Sequence, residues 1–126
     1  MHCTGSYVVD RNGTVTKTHL IPLREELTKD DIRNGNLVSF GRTFRNFKDI
    51  QLDWMSQAPY IDWCINFEVS LRGKVKCDEW ASGGYRVTLD GMITGDTDEE
   101  VYRKNRICLD LISDRQTAFE DAKTKN

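Results

Sequence analysis

Between Ile61 and Leu71 the chain alternates without a miss: Ile61, Trp63, Ile65, Phe67, Val69 and Leu71 are apolar, and Asp62, Cys64, Asn66, Glu68 and Ser70 stand between them. Successive side chains of a strand point to opposite faces, so this period of two predicts a long, half-buried β-strand. Burying six such side chains is worth roughly 9–18 kcal/mol of gross transfer free energy, at about 1.5–3 kcal/mol each, before the cost of ordering the backbone. On this reading the segment is the spine of a sheet, and the rest of the chain is arranged around it.

The flanking sequence supplies the other elements. Tyr7–Arg11 and Thr14–Thr18 are joined by Asn12-Gly13, a pair that tolerates the positive φ of a two-residue hairpin turn. Pro22 ends that hairpin, and Thr28 is placed to cap a short helix with Asp30 and Asp31 at its positive end and Gly35 as its stop. The pattern predicts a strand over Asn36–Phe44 and a short helix over Asn46–Gln57, with Ala58-Pro59 breaking it before the long strand. That strand is expected to continue past Gly73 through Val75 and Cys77, Ser82-Gly83-Gly84 to be the next turn, and a further strand to follow through Tyr85, Val87 and Leu89 and past Gly91 to Ile93. Thr97 and Glu100 have capping-box spacing ahead of a helix whose Val101, Cys108, Leu111, Ile112 and Phe119 form one stripe, helped by Ile107 and Leu109. The expected fold is α+β: an antiparallel sheet of about four to six strands, with a long C-terminal amphipathic helix and one or two short helices packed on one face.

At 126 residues, 38% hydrophobic and 30% charged, the chain suits a single domain over residues 1–126. A formal charge of −2 and a pI near 5.7 give no global field toward nucleic acid or an anionic membrane, so any such contact must be local. No apolar run approaches the ~18 residues a bilayer span needs. Met1–Gly5 has neither the charged nor the apolar region of a leader, and a soluble, cytoplasmic protein without membrane partners is expected. Cys3, Cys64, Cys77 and Cys108 are read as reduced thiols, with Cys64 and Cys77 the two a hairpin would bring together in an oxidising compartment.

The segment Ser39–Lys48 interleaves Phe40, Phe44 and Phe47 with Arg42, Arg45 and Lys48 and contains no acid. Aromatic faces stack bases while cations hold phosphates, so these six are the candidate nucleic-acid or nucleotide site; the alternative is a strand with its phenylalanines in the core and its cations in solvent. Asp62, Asn66 and Glu68, with Asp78, Glu79, Asp90 and Arg86 nearby, form a second candidate cluster. Paired carboxylates there serve a hydrolase or hold a cation only if the sheet brings them together, and the bland reading is a solvated sheet face. His2 and His19 are the only histidines; His2-Cys3 lacks the second ligand pair of a zinc site, and Ser82-Gly83-Gly84 lacks the Lys and Ser/Thr of a phosphate loop. Trp63 is expected in the core, whereas Trp80, beside Asp78-Glu79, and Tyr85 are candidate partner contacts. Arg103, Lys104 and Arg106 are explained by local pairing on their helix.

With no complete catalytic constellation, metal-ligand set or cofactor motif in the sequence, the leading expectation is a non-enzymatic module that occupies a surface of a protein partner. It would act as a regulator or inhibitor of the kind phages and mobile elements carry. Exposed sheet edges favour a homodimer. Nucleic-acid or nucleotide binding through residues 39–48 is the first alternative, and a small hydrolase built on the sheet's carboxylates the second.

Overall fold

The computed structural model describes residues 1–38, 41–88 and 95–125. Strands β1 (His2–Val9) and β2 (Val15–Leu20) pair antiparallel where the sequence places the hairpin. The turn is longer than two residues: the Gly13 N–H donates to the Asp10 carbonyl at 3.1 Å, and the Asp10 N–H donates to Thr14 at 3.0 Å. Within this loop only Gly13, at φ +83°, is left-handed, since no described non-glycine residue has positive φ. The loop is therefore a turn closed by a left-handed glycine rather than the two-residue form that would need Asn12 left-handed as well. Asp10 fixes it, its carboxylate accepting from the N–H groups of Asn12 and Thr14 at 2.9 Å each.

Two further strands, β3 (Glu26–Leu27) and β4 (Val75–Arg86), complete a four-stranded sheet of order β2-β1-β4-β3. The fold is α+β as expected, but the sheet is mixed and not antiparallel: β4 runs antiparallel to β3 and parallel to β1. Parallel neighbours need a long crossover, and the whole chain between Val9 and Val75 serves as one. The strand expected over Asn36–Phe44 reduces, among the described residues, to Thr43, which exchanges two 2.8 Å hydrogen bonds with His2; Ser39 and Phe40 lie outside the described residues. Ser82-Gly83-Gly84 is not a turn but the middle of β4. A Cβ at Gly84 would sit 2.9 Å from Val9 Cγ1, so this glycine serves a close approach of two strands. The strand through Tyr85 stops at Arg86, and its expected continuation over Leu89–Ile93 falls outside the described residues.

The short helix α1 (Lys29–Arg33) starts at Thr28 with a capping box closed by Asp31. The helix expected over Asn46–Gln57 is only a 3-10 turn, Asp53–Met55. The largest correction concerns the presumed spine, for Ile61–Ser70 is a helix, α2. A two-residue step on a helix turns through about 200°, so strict alternation puts Ile61, Ile65 and Val69 on one side and Trp63, Phe67 and Leu71 on the other. Such a helix is enclosed on more than one side. From Trp63 to Leu71 only Ile65 is not fully buried, and the polar stripe that would reveal a helical period is missing because Asn66 and Glu68 are buried too.

The last helix, α3 (Asp98–Thr124), begins at Thr97 with the expected Glu100 capping box. Its stripe buries Cys108 and Ile112 and packs Leu109 and Phe119 against the core. Its neighbours are α1, α2 and the 3-10 turn. One core joins Cys3, Val75 and Cys77 of the sheet to Ile32, Trp63, Phe67, Cys108 and Ile112 of the helices. Trp63 ties α2 to α1 by donating its indole N–H to the Ile32 carbonyl at 2.6 Å. Among the described residues no helix is long and apolar enough to cross a membrane.

Candidate functional site

The basic-aromatic segment divides between inward and outward residues. Arg42 donates to Asn66 Oδ1 at 3.0 Å and to the Asp62 carbonyl at 3.5 Å, with the Asp62 carboxylate 3.9 Å away. It therefore holds the loop against the start of α2. Phe47 lies beneath the Arg72 guanidinium, 5.4 Å from its ring centre. Phe44, Arg45 and Lys48 face solvent, and Phe40 is outside the described residues. Of the six candidate residues, Phe44, Arg45 and Lys48 are the three that are exposed among the described residues.

The carboxylates once assigned to a sheet face are also redistributed. Asp62, Asn66 and Glu68 belong to α2, and Asp90 is outside the described residues. Glu68 is completely buried and receives Arg115 Nε at 2.7 Å, Arg115 Nη2 at 3.0 Å, Arg72 Nη1 at 3.0 Å, Trp54 Nε1 at 3.0 Å and the Gln51 N–H at 3.3 Å. Burial acts to raise its pKa, but the hydrogen bonds from Arg115 and Arg72 prevail and hold the carboxyl below its ordinary range. With its lone pairs committed to five donors, this carboxylate is a structural hub that joins α2, α3 and the chain over Gln51–Trp54.

A further exposed arrangement lies on the sheet. β1 and β4 run side by side, so His2 and Asp78, far apart in sequence, meet with His2 Nε2 donating to Asp78 Oδ2 at 2.6 Å. Two residues further along β4, where the register with β1 shifts, Trp80 lies on the Asp78 side and hydrogen-bonds its carboxylate. The imidazole of His2, and after it the indole N–H of Trp80, hold the Asp78 carboxyl below its ordinary value. Trp80 is nevertheless 58% exposed, the most exposed tryptophan in the chain. An open cleft of about 520 Å³ adjoins it, lined by His2, Glu25, Lys76, Cys77, Asp78 and Glu79. Lys76 of the cleft, with Lys74, also grips Glu26, at 2.8 Å each, and the two hold its carboxyl at about 2.

Trp80, a candidate partner contact in the sequence, is exposed, and Tyr85, the other candidate, follows it on β4, half-buried. His2 was not legible, because nothing local links it to Asp78. Further along the sheet, Tyr7 and His19 stack across β1 and β2 with ring centres 5.0 Å apart, and Tyr7 remains 47% exposed. Among the described residues there is no cluster of three or more His, Cys, Asp or Glu side chains arranged to hold a metal ion.

No protein-family model, curated protein or solved structure matches this chain.

Proposed function

We propose that this chain is a non-enzymatic binding module, a regulator or inhibitor of a protein partner, and that its contact surface is the sheet face centred on Trp80. The observation that carries the reading is an indole left 58% exposed while its N–H is tied to Asp78, which His2 holds in turn. An exposed tryptophan with a restrained ring meets a partner with little rotamer entropy left to lose, and tryptophan heads the residues that dominate interface energetics. Asp78, Glu79, Glu25 and Lys76 around it supply the polar rim such an anchor needs. Tyr85 extends the same strand.

Self-association through a sheet edge belongs to the same reading. Ile61–Ser70 is a helix and offers no edge, but the outer side of β2 has no strand partner among the described residues. Val15, Ile21 and Leu23, at its ends, are 59%, 58% and 61% exposed. Pairing this edge with a second copy covers them.

The test is quantitative capture with the full chain as bait, followed by titration of the captured protein against the wild type and Trp80→Ala. The expected result is a purified partner whose affinity falls at least about 30-fold with Trp80→Ala, the hot-spot threshold of about 2 kcal/mol, while Arg45→Ala leaves it unchanged. An affinity indifferent to Trp80 overturns the proposal. Nucleic acid captured in its place, released by salt and lost on Arg45→Ala with Lys48→Ala, overturns it in favour of the solvent-facing Phe44, Arg45 and Lys48.

A further inference from the structure

All four cysteines are free and buried, yet none is isolated. Cys64 of α2 is hydrogen-bonded to Cys108 of α3. Cys3 of β1 and Cys77 of β4 are register partners on adjacent parallel strands, and the Cys3 thiol donates to Cys77 Sγ at 3.0 Å. The neighbours are these two pairs, and not Cys64 with Cys77, the pair a hairpin would have brought together. We propose that Cys3 and Cys77 are a redox modification site, joined as an intramolecular disulfide by a hydroperoxide oxidant.

Two observations carry this. The first is geometry: neighbouring strands lie about 4.8 Å apart, inside the Cα separation a disulfide spans, and the sulfurs need to close by only about 1 Å to bond. The second is access. Cys77 is 7% exposed and lines the open cleft beside Asp78, whereas Cys64 and Cys108 are 0% exposed between two helices.

The chemistry balances with one hydrogen peroxide, an alkyl hydroperoxide releasing its alcohol in place of the first water. The Cys77 sulfur attacks the O–O bond, becomes a sulfenic acid and releases one water; the Cys3 sulfur then displaces the sulfenic oxygen as a second water. Two thiols thus surrender two electrons and two protons, and the peroxide is reduced to water. Burial, and next the neighbouring Cys3 sulfur, push the Cys77 thiol up to about 12, so little thiolate is present at neutral pH and the reaction is slow. Each cysteine adjoins one member of the His2–Asp78 pair, so the bond fixes the backbone on which that pair stands. The inference does not depend on what binds there.

The experiment treats the reduced full chain with hydrogen peroxide, blocks remaining thiols under denaturing conditions with N-ethylmaleimide, and maps tryptic peptides by mass. The expected product carries two maleimide adducts where the reduced chain carries four, and peptide 1–11 is linked to peptide 77–86. Cys3→Ser and Cys77→Ser each abolish the link, and Cys64→Ser leaves it. The map of the wild-type chain stands without the variants, should one fail to fold. Four free thiols after peroxide has oxidised the methionines, or a link confined to Cys64 and Cys108, overturns the assignment.

Discussion

Replacing Glu68 by Gln tests whether the buried ion cluster holds the helical layers together. The substitution keeps shape and removes charge, so its cost follows from what it strands. Arg115 loses one of its two bonds, at 2.7 and 3.0 Å, keeps only a neutral amide oxygen in place of the carboxylate for the other, and the new amide N–H₂ faces a guanidinium that can only donate. Arg72 keeps the Glu68 carbonyl at 2.8 Å and the Asp49 carbonyl at 3.0 Å, so it is the lesser casualty. Breaking a buried pair by removing one partner costs about 3–5 kcal/mol. Arg72 and Arg115 retain 14% and 15% side-chain exposure, which admits some water and places the expected loss near the lower bound. At about 3–6 °C per kcal/mol for a chain of this size, Tm falls by about 10–20 °C.

Thermal melts followed by circular dichroism measure this, and a double-mutant cycle with Arg115→Gln gives the coupling, expected at about 1.5 kcal/mol or more. The same cluster sets an acid limit. Glu68 has a folded pKa below its ordinary 4.5, so its stabilising contribution is complete above the unfolded value and disappears as pH falls through the folded one. The gap in Tm between wild type and Glu68→Gln should therefore be widest at neutral pH and shrink below pH 4.5. A Tm within about 3 °C of wild type at pH 7, or a gap that does not change with acid, refutes the reasoning.

Gly41→Ala should destabilise by about 1–3 kcal/mol, because the residue sits at φ +52° and a Cβ would lie 2.0 Å from Thr4 Oγ1 and 2.5 Å from Ser82 Oγ. Gly73→Ala, with nothing within 4 Å of the added carbon, is the control and should melt with wild type; equal melts for both variants sink the argument. Static light scattering at micromolar concentration should return twice the 14.6 kDa chain mass, reverting to one chain on Val15→Glu with Ile21→Glu. A single-chain mass for the wild type removes the β2 edge as a dimer surface.

What the sequence disclosed and what it hid differ in the range of the forces involved. The caps at Thr28 and Thr97 and the hairpin at Gly13 were legible because each is decided by residues within three or four positions. The pairing of Cys3 with Cys77 and of His2 with Asp78 depends on β1 lying parallel to β4, and no local pattern encodes a partner 74 or 76 residues away. Residues Ile61 to Leu71 failed for a different reason. Their alternation reports that two sides are buried, and a strand in a sheet and a helix held between layers both meet that condition. Length does not separate them, since eleven residues suit three turns of helix while β4 itself runs for twelve. Composition does, since Asn66 and Glu68 stand where a strand would show solvent, while Arg42, Arg72 and Arg115 elsewhere in the chain supply the donors that allow them to be buried. A long alternating run with acidic and amide residues on its polar positions, in a chain that has arginines to spare, is thus better read as a helix with two covered sides than as the spine of a sheet.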